Sequence, residues 1–230
     1  GTQKNHEKDK YLGISGGLFP GIKVYGHLRH AKTRQIFGPF RNRYHIDLLL
    51  TLIQRYFRLR ICNDVSPLTK CVYHDIGLCT GPCTGRILPF IYTSTVNDVV
   101  HFLNGNVNDT VHELKKDLRR CITSLKFENA DQIRKMIEFC LEYSRKQFHY
   151  NLFKTKTIEI YNKVTGNVRY GFYQGRMNYF ADDETTSLTD LKILEKEGQP
   201  FFDKRILLDR SDIIYNWLNR HAGEFEYHFR

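Results

Sequence analysis

The stretch Cys71-Val-Tyr-His-Asp-Ile-Gly-Leu-Cys79-Thr-Gly-Pro-Cys83, with Cys62 upstream of it, decides how the chain is read. It gathers four of the six cysteines of the 230-residue sequence within 22 positions, separated by eight, seven and three residues. Thiolates are soft ligands, and four of them meeting at one point suit an iron–sulfur cluster or a zinc ion. The close pair Cys79 and Cys83 lies on a Gly-Pro turn, which bends the backbone so that both sulfurs can face one centre. Four unrelated, inert thiols are the competing reading, but no other part of the chain has a comparable density. Spacing does not choose the metal, because the two-residue gaps usual in zinc ribbons are missing.

Immediately upstream the chain is strongly basic. From Lys23 to Arg60 there are nine Lys or Arg and one acid, Asp47, a net +8 in 38 residues out of +10 for the whole chain. A solvated helix face mixes signs, so this block points to phosphodiester backbones, which bind cationic stripes through counterion release. An anionic membrane surface would instead want a lipid-facing apolar stripe. Asn42 is placed to cap a helix. His45, Leu48, Leu49, Leu52, Ile53, Tyr56 and Phe57 then recur at steps of three and four as one buried face. Arg41, Arg43, Arg55, Arg58 and Arg60 flank that face at both ends. The residues expected to reach DNA phosphates are Arg29, Lys32, Arg34, Arg41, Arg43, Arg55 and Arg58.

Phe37-Gly-Pro-Phe40, Leu59-Arg-Ile-Cys62 and Cys71-x-Tyr-x-x-Ile-Gly-x-Cys79-x-x-Pro-Cys83-x-Gly85 follow one another in order around the basic helix. Together they resemble the middle of UvrC, the nuclease subunit of bacterial nucleotide excision repair. The resemblance covers about Asn5 to Tyr143. It implies that Cys62, Cys71, Cys79 and Cys83 hold a four-iron four-sulfur cluster, with zinc as the alternative. Asp9-Lys10-Tyr11-Leu-Gly-Ile14 is similar to the segment in which the last strand leaves the GIY-YIG nuclease fold. The family's catalytic Arg and metal-binding Glu are accordingly expected before residue 1, and Glu7 and Asp9 read as solvated loop charges. The missing initiator Met fits a fragment.

Beyond Gly85 a helix is expected from Thr95 through Val96, Val99, Val100, Phe102 and Leu103. Asn108 or Asp109 then caps the first helix of a hairpin. Its seam is Val111, Leu114, Leu118, Cys121 or Ile122, and Leu125, at coiled-coil steps. The second helix carries Ala130, Ile133, Met136 or Ile137, Cys140 and Leu141. Leu125-Lys-Phe127-Glu-Asn-Ala130-Asp-Gln-Ile133-Arg134 resembles the UVR motif shared by UvrB and UvrC. The resemblance implies docking of a UvrB-like helicase through Leu125, Phe127, Ala130 and Ile133. An ordinary internal hairpin is the plainer alternative, with Cys121 and Cys140 as apolar fillers.

From Thr155 the alternation Ile158-Glu-Ile160, Val168-Arg-Tyr170-Gly-Phe172 and Met177-Asn-Tyr179 reads as an antiparallel meander. Turns are expected at Val164 to Asn167 and at Gln174-Gly175. A helix is expected over Ser187–Gly198, another capped by Ser211, and a closing strand over Glu224–Arg230. The meander is faintly similar to the start of the RNase H-like half of UvrC, but no Asp-Asp-His set can be assigned. Asp182, Asp183 and Glu184 read as a solvated acidic loop.

The sequence therefore predicts an α+β chain in four parts. Residues 1–40 would be the tail of a nuclease domain, 41–106 the basic helix with a cysteine-rich metal module, 107–150 a UVR-like hairpin, and 151–230 a small antiparallel α/β cap. No run approaches the roughly eighteen apolar residues of a membrane span, and clustered thiols fit a reducing cytoplasm. No catalytic constellation is evident. The expected role is DNA binding, metal binding and partner docking in excision repair, with the cuts made elsewhere. Alternatives are a non-enzymatic DNA-binding adaptor and the C-terminal half of an exonuclease–UvrC-like fusion.

Overall fold

The computed structural model describes residues 10–26, 33–62, 71–164, 166, 168–173, 176–180, 192–193 and 204–229. The chain divides into two compact units, Gly1–Glu142 and Tyr143–Arg230. Both mix helices with antiparallel sheet, as an α+β reading requires.

In the first unit, strands β1 (Lys10–Ser15), β2 (Ile22–Tyr25) and β3 (Thr33–Phe40) form a sheet in the order β2-β1-β3, antiparallel throughout. Leu12 and Ile14 of the central strand are buried together with Ile22 and Phe37. The residues expected to trail from a nuclease domain thus close a sheet of their own. Ile22 N–H donates to the Arg60 carbonyl (3.1 Å), which ties that sheet to the segment entering the cysteine stretch.

Helix α1 (Arg43–Leu52) begins where Asn42 Oδ1 accepts the Tyr44 N–H at 2.9 Å, the cap expected from the sequence. Ile46, Leu48, Leu49 and Leu52 are its buried face. A π-helical turn, Ile53–Phe57, continues it, and Arg58 closes that turn in the left-handed region at φ 54°. The short helix α2 (Val72–Asp75) and a 3-10 turn (Pro82–Thr84) follow. Helix α3 runs from Pro89 to Leu103, six residues earlier than its apolar pattern suggests. Proline is suited to that first position because its missing N–H has no helical acceptor there.

Helices α4 (Asn108–Thr123) and α5 (Phe127–Thr155) make the hairpin. Neither expected cap is used: Val107 is the N-cap residue, without a side-chain bond. Helices α3 and α4 end in the same motif. Gly105 N–H donates to the Phe102 carbonyl and Asn106 N–H to that of His101. Leu125 and Lys126 do likewise to Ile122 and Cys121. The residue at the turn must take positive φ, which favours glycine. Helix α3 has Gly105 there (φ 101°), but α4 has Leu125 (φ 56°).

In the second unit β4 (Thr157–Asn162), β5 (Val168–Tyr173), β6 (Arg176–Phe180), β7 (Lys192–Ile193) and β8 (Phe225–Phe229) form an antiparallel sheet in the order β7-β6-β5-β4-β8. The meander and the closing strand are those expected. Lys192 and Ile193 pair with Phe180 and Tyr179, so the helix expected over Ser187–Gly198 is a strand at these two positions, and its remaining residues lie outside the described ones. The turn at Gln174-Gly175 and the acidic Asp182, Asp183 and Glu184 also lie outside them. Helix α6 (Lys204–Arg220) starts well before Ser211, whose hydroxyl donates back to the Leu208 carbonyl (2.9 Å) within the helix. Phe153, Ile158, Ile160, Ile214 and Leu218 are the core. Among the described residues no helix is long and apolar enough to cross a membrane.

Candidate functional site

The cysteine module is assembled from the end of the basic helix. Behind Arg58, Leu59 is fully buried and Arg60 is only 5% exposed. Arg60 Nε donates to the Phe19 carbonyl (2.6 Å) and its Nη1 to the Cys62 carbonyl (2.7 Å), with Nη1 4.0 Å from Cys62 Sγ. Gly21 allows this approach, since a Cβ there would stand 3.0 Å from the Arg60 side chain and carbonyl. The fully buried Tyr92 spans the same region. Its hydroxyl donates to the Pro20 carbonyl (2.7 Å) and accepts the Arg60 N–H (3.4 Å), and its ring meets Phe19 edge-on. Arg60, read from the sequence as one of the surface cations flanking the helix, is therefore an interior tie. Its acceptors are backbone carbonyls, which composition cannot reveal.

Cys71 stands at the N-cap of α2, and its carbonyl accepts the N–H groups of His74 and Asp75. His74 Nδ1–H donates to the Cys79 carbonyl (3.2 Å), leaving Nε2 to accept from Arg86 (3.5 Å). Thr80 N–H returns to the Arg58 carbonyl (3.0 Å), so the loop is pinned to the helix end. Gly81 is left-handed at φ 69°, and a Cβ there would lie 2.7 Å from the His74 ring. Its N–H points to Cys79 Sγ at 3.4 Å.

All four cysteines share one electrostatic neighbourhood. Burial pushes the Cys79 thiol above its ordinary value, the Gly81 amide opposes this, and Cys62, Cys71 and Cys83 add to it. Cys83 is raised by burial and by its hydrogen bond with Cys71. Among the described residues no group of three or more His, Cys, Asp or Glu side chains is arranged to hold a metal ion. The Gly81 amide N–H is aimed at the Cys79 sulfur, and the Thr80 hydroxyl is buried without a hydrogen-bond partner among the described residues.

Arg29 and Lys32 lie outside the described residues. Arg34, Arg41, Arg43, Arg55 and Arg58 are exposed. Arg43 pairs with Asp47 (2.9 Å) and Arg55 with Asp117 (2.7 Å). Tyr56 also donates to Asp117 (2.9 Å), and burial with that bond raises its phenol.

The four expected docking residues split as well. Leu125 and Phe127 are 72% and 65% exposed, and Ile122 beside them is half exposed. Ala130 and Ile133 are buried with Ile137 and Cys140 and belong to the core of the hairpin. At about 100° per residue Ala130 and Ile133 stand about 60° and 120° round the helix from Phe127, on its buried side, while Asp131, Arg134, Lys135 and Glu138 form ion pairs on the exposed side. Cys140 is a buried filler, its thiol pushed up to about 12 by burial.

A sheet tied to a basic helix that ends in a four-cysteine loop defines a class: residues 11–102 match the UvrC/Cho excinuclease middle domain. The UvrABC system protein C of a Thermoanaerobacter strain is 28% identical over 238 residues, covering 89% of this chain and 38% of its own length. That of Caldanaerobacter subterraneus is 27% identical, covering 81% and 34%. That of Borrelia turicatae is 33% identical over 144 residues, covering 60% and 24%. The chain is similar to UvrC-family proteins over these stretches. It spans less than two fifths of the length of each of these relatives. No solved structure matches it.

Proposed function

We propose that this chain acts in nucleotide excision repair as the DNA-binding, metal-binding and helicase-docking part of a UvrC-type protein. The phosphodiester cuts are made by residues outside these. The match of residues 11–102 to the UvrC/Cho middle domain carries the reading. The exposed Arg34, Arg41 and Arg58, with Arg43 and Arg55 held by single carboxylates, support a phosphate-binding surface on that domain. No base-reading motif accompanies them, so the preferred DNA is distorted duplex chosen by its deformability.

Cys62, Cys71, Cys79 and Cys83 are the proposed ligands of a four-iron four-sulfur cluster. When bound, such a group cross-links the loop to the helix end and can carry an electron. The chain's own residues do the rest: Gly81 bends the loop, His74 and Thr80 pin it, and Arg60 fixes Cys62.

The turn between α4 and α5 is the proposed docking point for a UvrB-like helicase. Leu125 holds a backbone conformation that a glycine would take without strain, and its side chain stays in water. Such strain at an exposed apolar side chain fits a binding role better than a packing one.

The test is a salt titration of binding to duplex and bubbled DNA by anaerobically purified protein, with metal analysis. Affinity should fall by about 0.9 logarithmic units per logarithmic unit of salt for each phosphate neutralised, and Cys79→Ser should lower iron content. Binding indifferent to salt would refute the DNA role. Stoichiometric zinc without iron would replace the cluster by a zinc-bearing adaptor.

A further inference from the structure

The carboxylate of Asp117 on α4 joins two parts of the first unit. Its Oδ2 accepts from Arg55 Nη2 (2.7 Å) and from the Tyr56 hydroxyl (2.9 Å), both on the π-helical turn. Its Oδ1 accepts from Arg120 Nη1 (3.0 Å). Asp117 keeps 18% of its side chain in water, whereas Arg120 keeps 74%. One largely buried carboxylate thus holds a cation of the basic block and a cation of the hairpin side by side.

The first helix of the hairpin carries the charge onward. Lys115-Lys116-Asp117-Leu118-Arg119-Arg120 has four cations and one acid. At about 100° per residue the four cations fall within an arc of about 140°, clear of the buried Thr110, Val111 and Leu114. Lys116 pairs with Glu113 (2.7 Å). Lys115 and Arg119 are exposed and form no ion pair among the described residues. The exposed side of α5 shows the ordinary alternative, since Asp131, Arg134, Lys135 and Glu138 there neutralise one another. Cations near a helix C-terminus also offset the macrodipole, but that effect fades beyond the last turn. It accounts for Arg120, which lies in that turn, and not for Lys115, which precedes it.

We propose that the phosphate-binding surface continues across Asp117 onto α4, where Lys115, Arg119 and Arg120 contact the backbone of the same DNA duplex as Arg55. The proposal rests on the DNA-binding reading above and adds to it a helix of the hairpin. Arg55 and Arg120 share one carboxylate, so the two cationic surfaces meet without a break. Lys115 and Arg119, about 6 Å apart along the axis, extend the stripe toward the start of α4. Exposed cations without carboxylate partners are complementary to a polyanion, and contacts of this kind position a duplex without reading its sequence.

The experiment follows duplex binding by the full chain across a salt series. It compares wild type with Lys115→Gln/Arg119→Gln and with Arg134→Gln/Lys135→Gln, which removes the same charge from the exposed side of α5. The α4 variant should lower the salt slope by about 1.8, about 0.9 for each of two phosphates, and weaken binding at 0.1 M salt by about sixtyfold. The α5 variant should keep the wild-type slope. Both should melt as wild type does. An α4 variant that melts well below wild type makes the two side chains part of the fold and overturns the proposal. An equal loss of slope in the α5 variant also overturns it, because net charge alone would then explain the effect. An unchanged slope in the α4 variant, while Arg34→Glu/Arg58→Glu weakens binding, removes this proposal and leaves the DNA reading standing. If that same α4 variant loses affinity for a UvrB-type helicase instead, α4 is a protein surface. Wild-type binding indifferent to salt removes the DNA reading and this proposal with it.

Discussion

Truncating Phe127 to alanine separates docking from folding at the tip of the hairpin. Phe127 keeps 65% of its surface in water, whereas Ile133 keeps 3%. Full burial of a phenylalanine is worth about 1.5–3 kcal/mol, so about 1–2 kcal/mol is left to be gained when a partner covers the ring. Phe127→Ala should therefore weaken binding of a UvrB-type helicase by about five- to thirtyfold. The melting temperature should hardly move, because little of the ring is buried in the free chain. Ile133→Ala should do the reverse, destabilising the fold by about 2–5 kcal/mol through the cavity it opens. Calorimetric titration of the helicase, with circular-dichroism melts of each variant, reads both quantities. A Phe127→Ala chain that unfolds, or that binds as tightly as wild type, refutes the assignment and makes the tip part of an internal packing surface.

Leu125→Gly should raise stability by about 1 kcal/mol, since glycine takes positive φ without strain, yet it should weaken helicase binding; a melt and a titration on one sample decide. Reversing Arg34 and Arg58 to Glu should lower DNA affinity equally across sequences and flatten the salt dependence by about 0.9 for each phosphate no longer neutralised. Gly81→Ala should cost about 1–2 kcal/mol from the left-handed backbone alone, with a further penalty from the His74 ring, and should reduce metal uptake measured at equal protein concentration. In the second unit the His149 ring packs tilted against Tyr215, centroids 4.3 Å apart, its Nδ1 buried without a hydrogen-bond partner among the described residues, and burial, aided by Arg145, holds its imidazole below the ordinary value. The folded chain therefore takes up this proton less readily than the unfolded one. Stability should be full above about pH 6.5 and decline as pH falls through the lowered native value, a slope that His149→Phe should abolish in denaturant titrations.

Much of this is legible in the residues because local chemistry decides it. Asn42 precedes a three-four apolar pattern and caps the helix, and the alternation around Ile158 and Ile160 is a strand buried on one core. What stays hidden depends on partners distant in sequence. Arg60 has the same side chain as Arg58, and the carbonyls of Phe19, 41 residues away, and of Cys62 turn it inward. Ala130 and Ile133 share a motif with Phe127, but a helix rotates by about 100° per residue, which leaves them about 60° and 120° round from it on the side that the fold buries. The strand at Lys192–Ile193 lies in a stretch whose periodicity reads equally well as a helix, and pairing with β6 settles it. Among the cysteines, order and spacing are plain in the sequence, whereas the burial of the Thr80 hydroxyl carries no signal there at all.

The π-helical turn at Ile53–Phe57 fixes the chain's arithmetic at this point. Arg58 N–H reaches back five residues to the Ile53 carbonyl, so the turn holds one residue more than an α-helical turn would. A helix that lost one residue here could close as plain α and keep its hydrogen-bonded ladder. Because a five-residue π turn and a four-residue α turn advance the chain by nearly the same angle, the residues beyond it would keep their phase and Arg60 would still face the Phe19 carbonyl. An added residue would instead swing the chain beyond the turn through about 100°. A deletion at this turn should therefore spare both helicity and the Arg60 tie, whereas an insertion should break the tie, so the turn sets the phase between the helix and the cysteine loop.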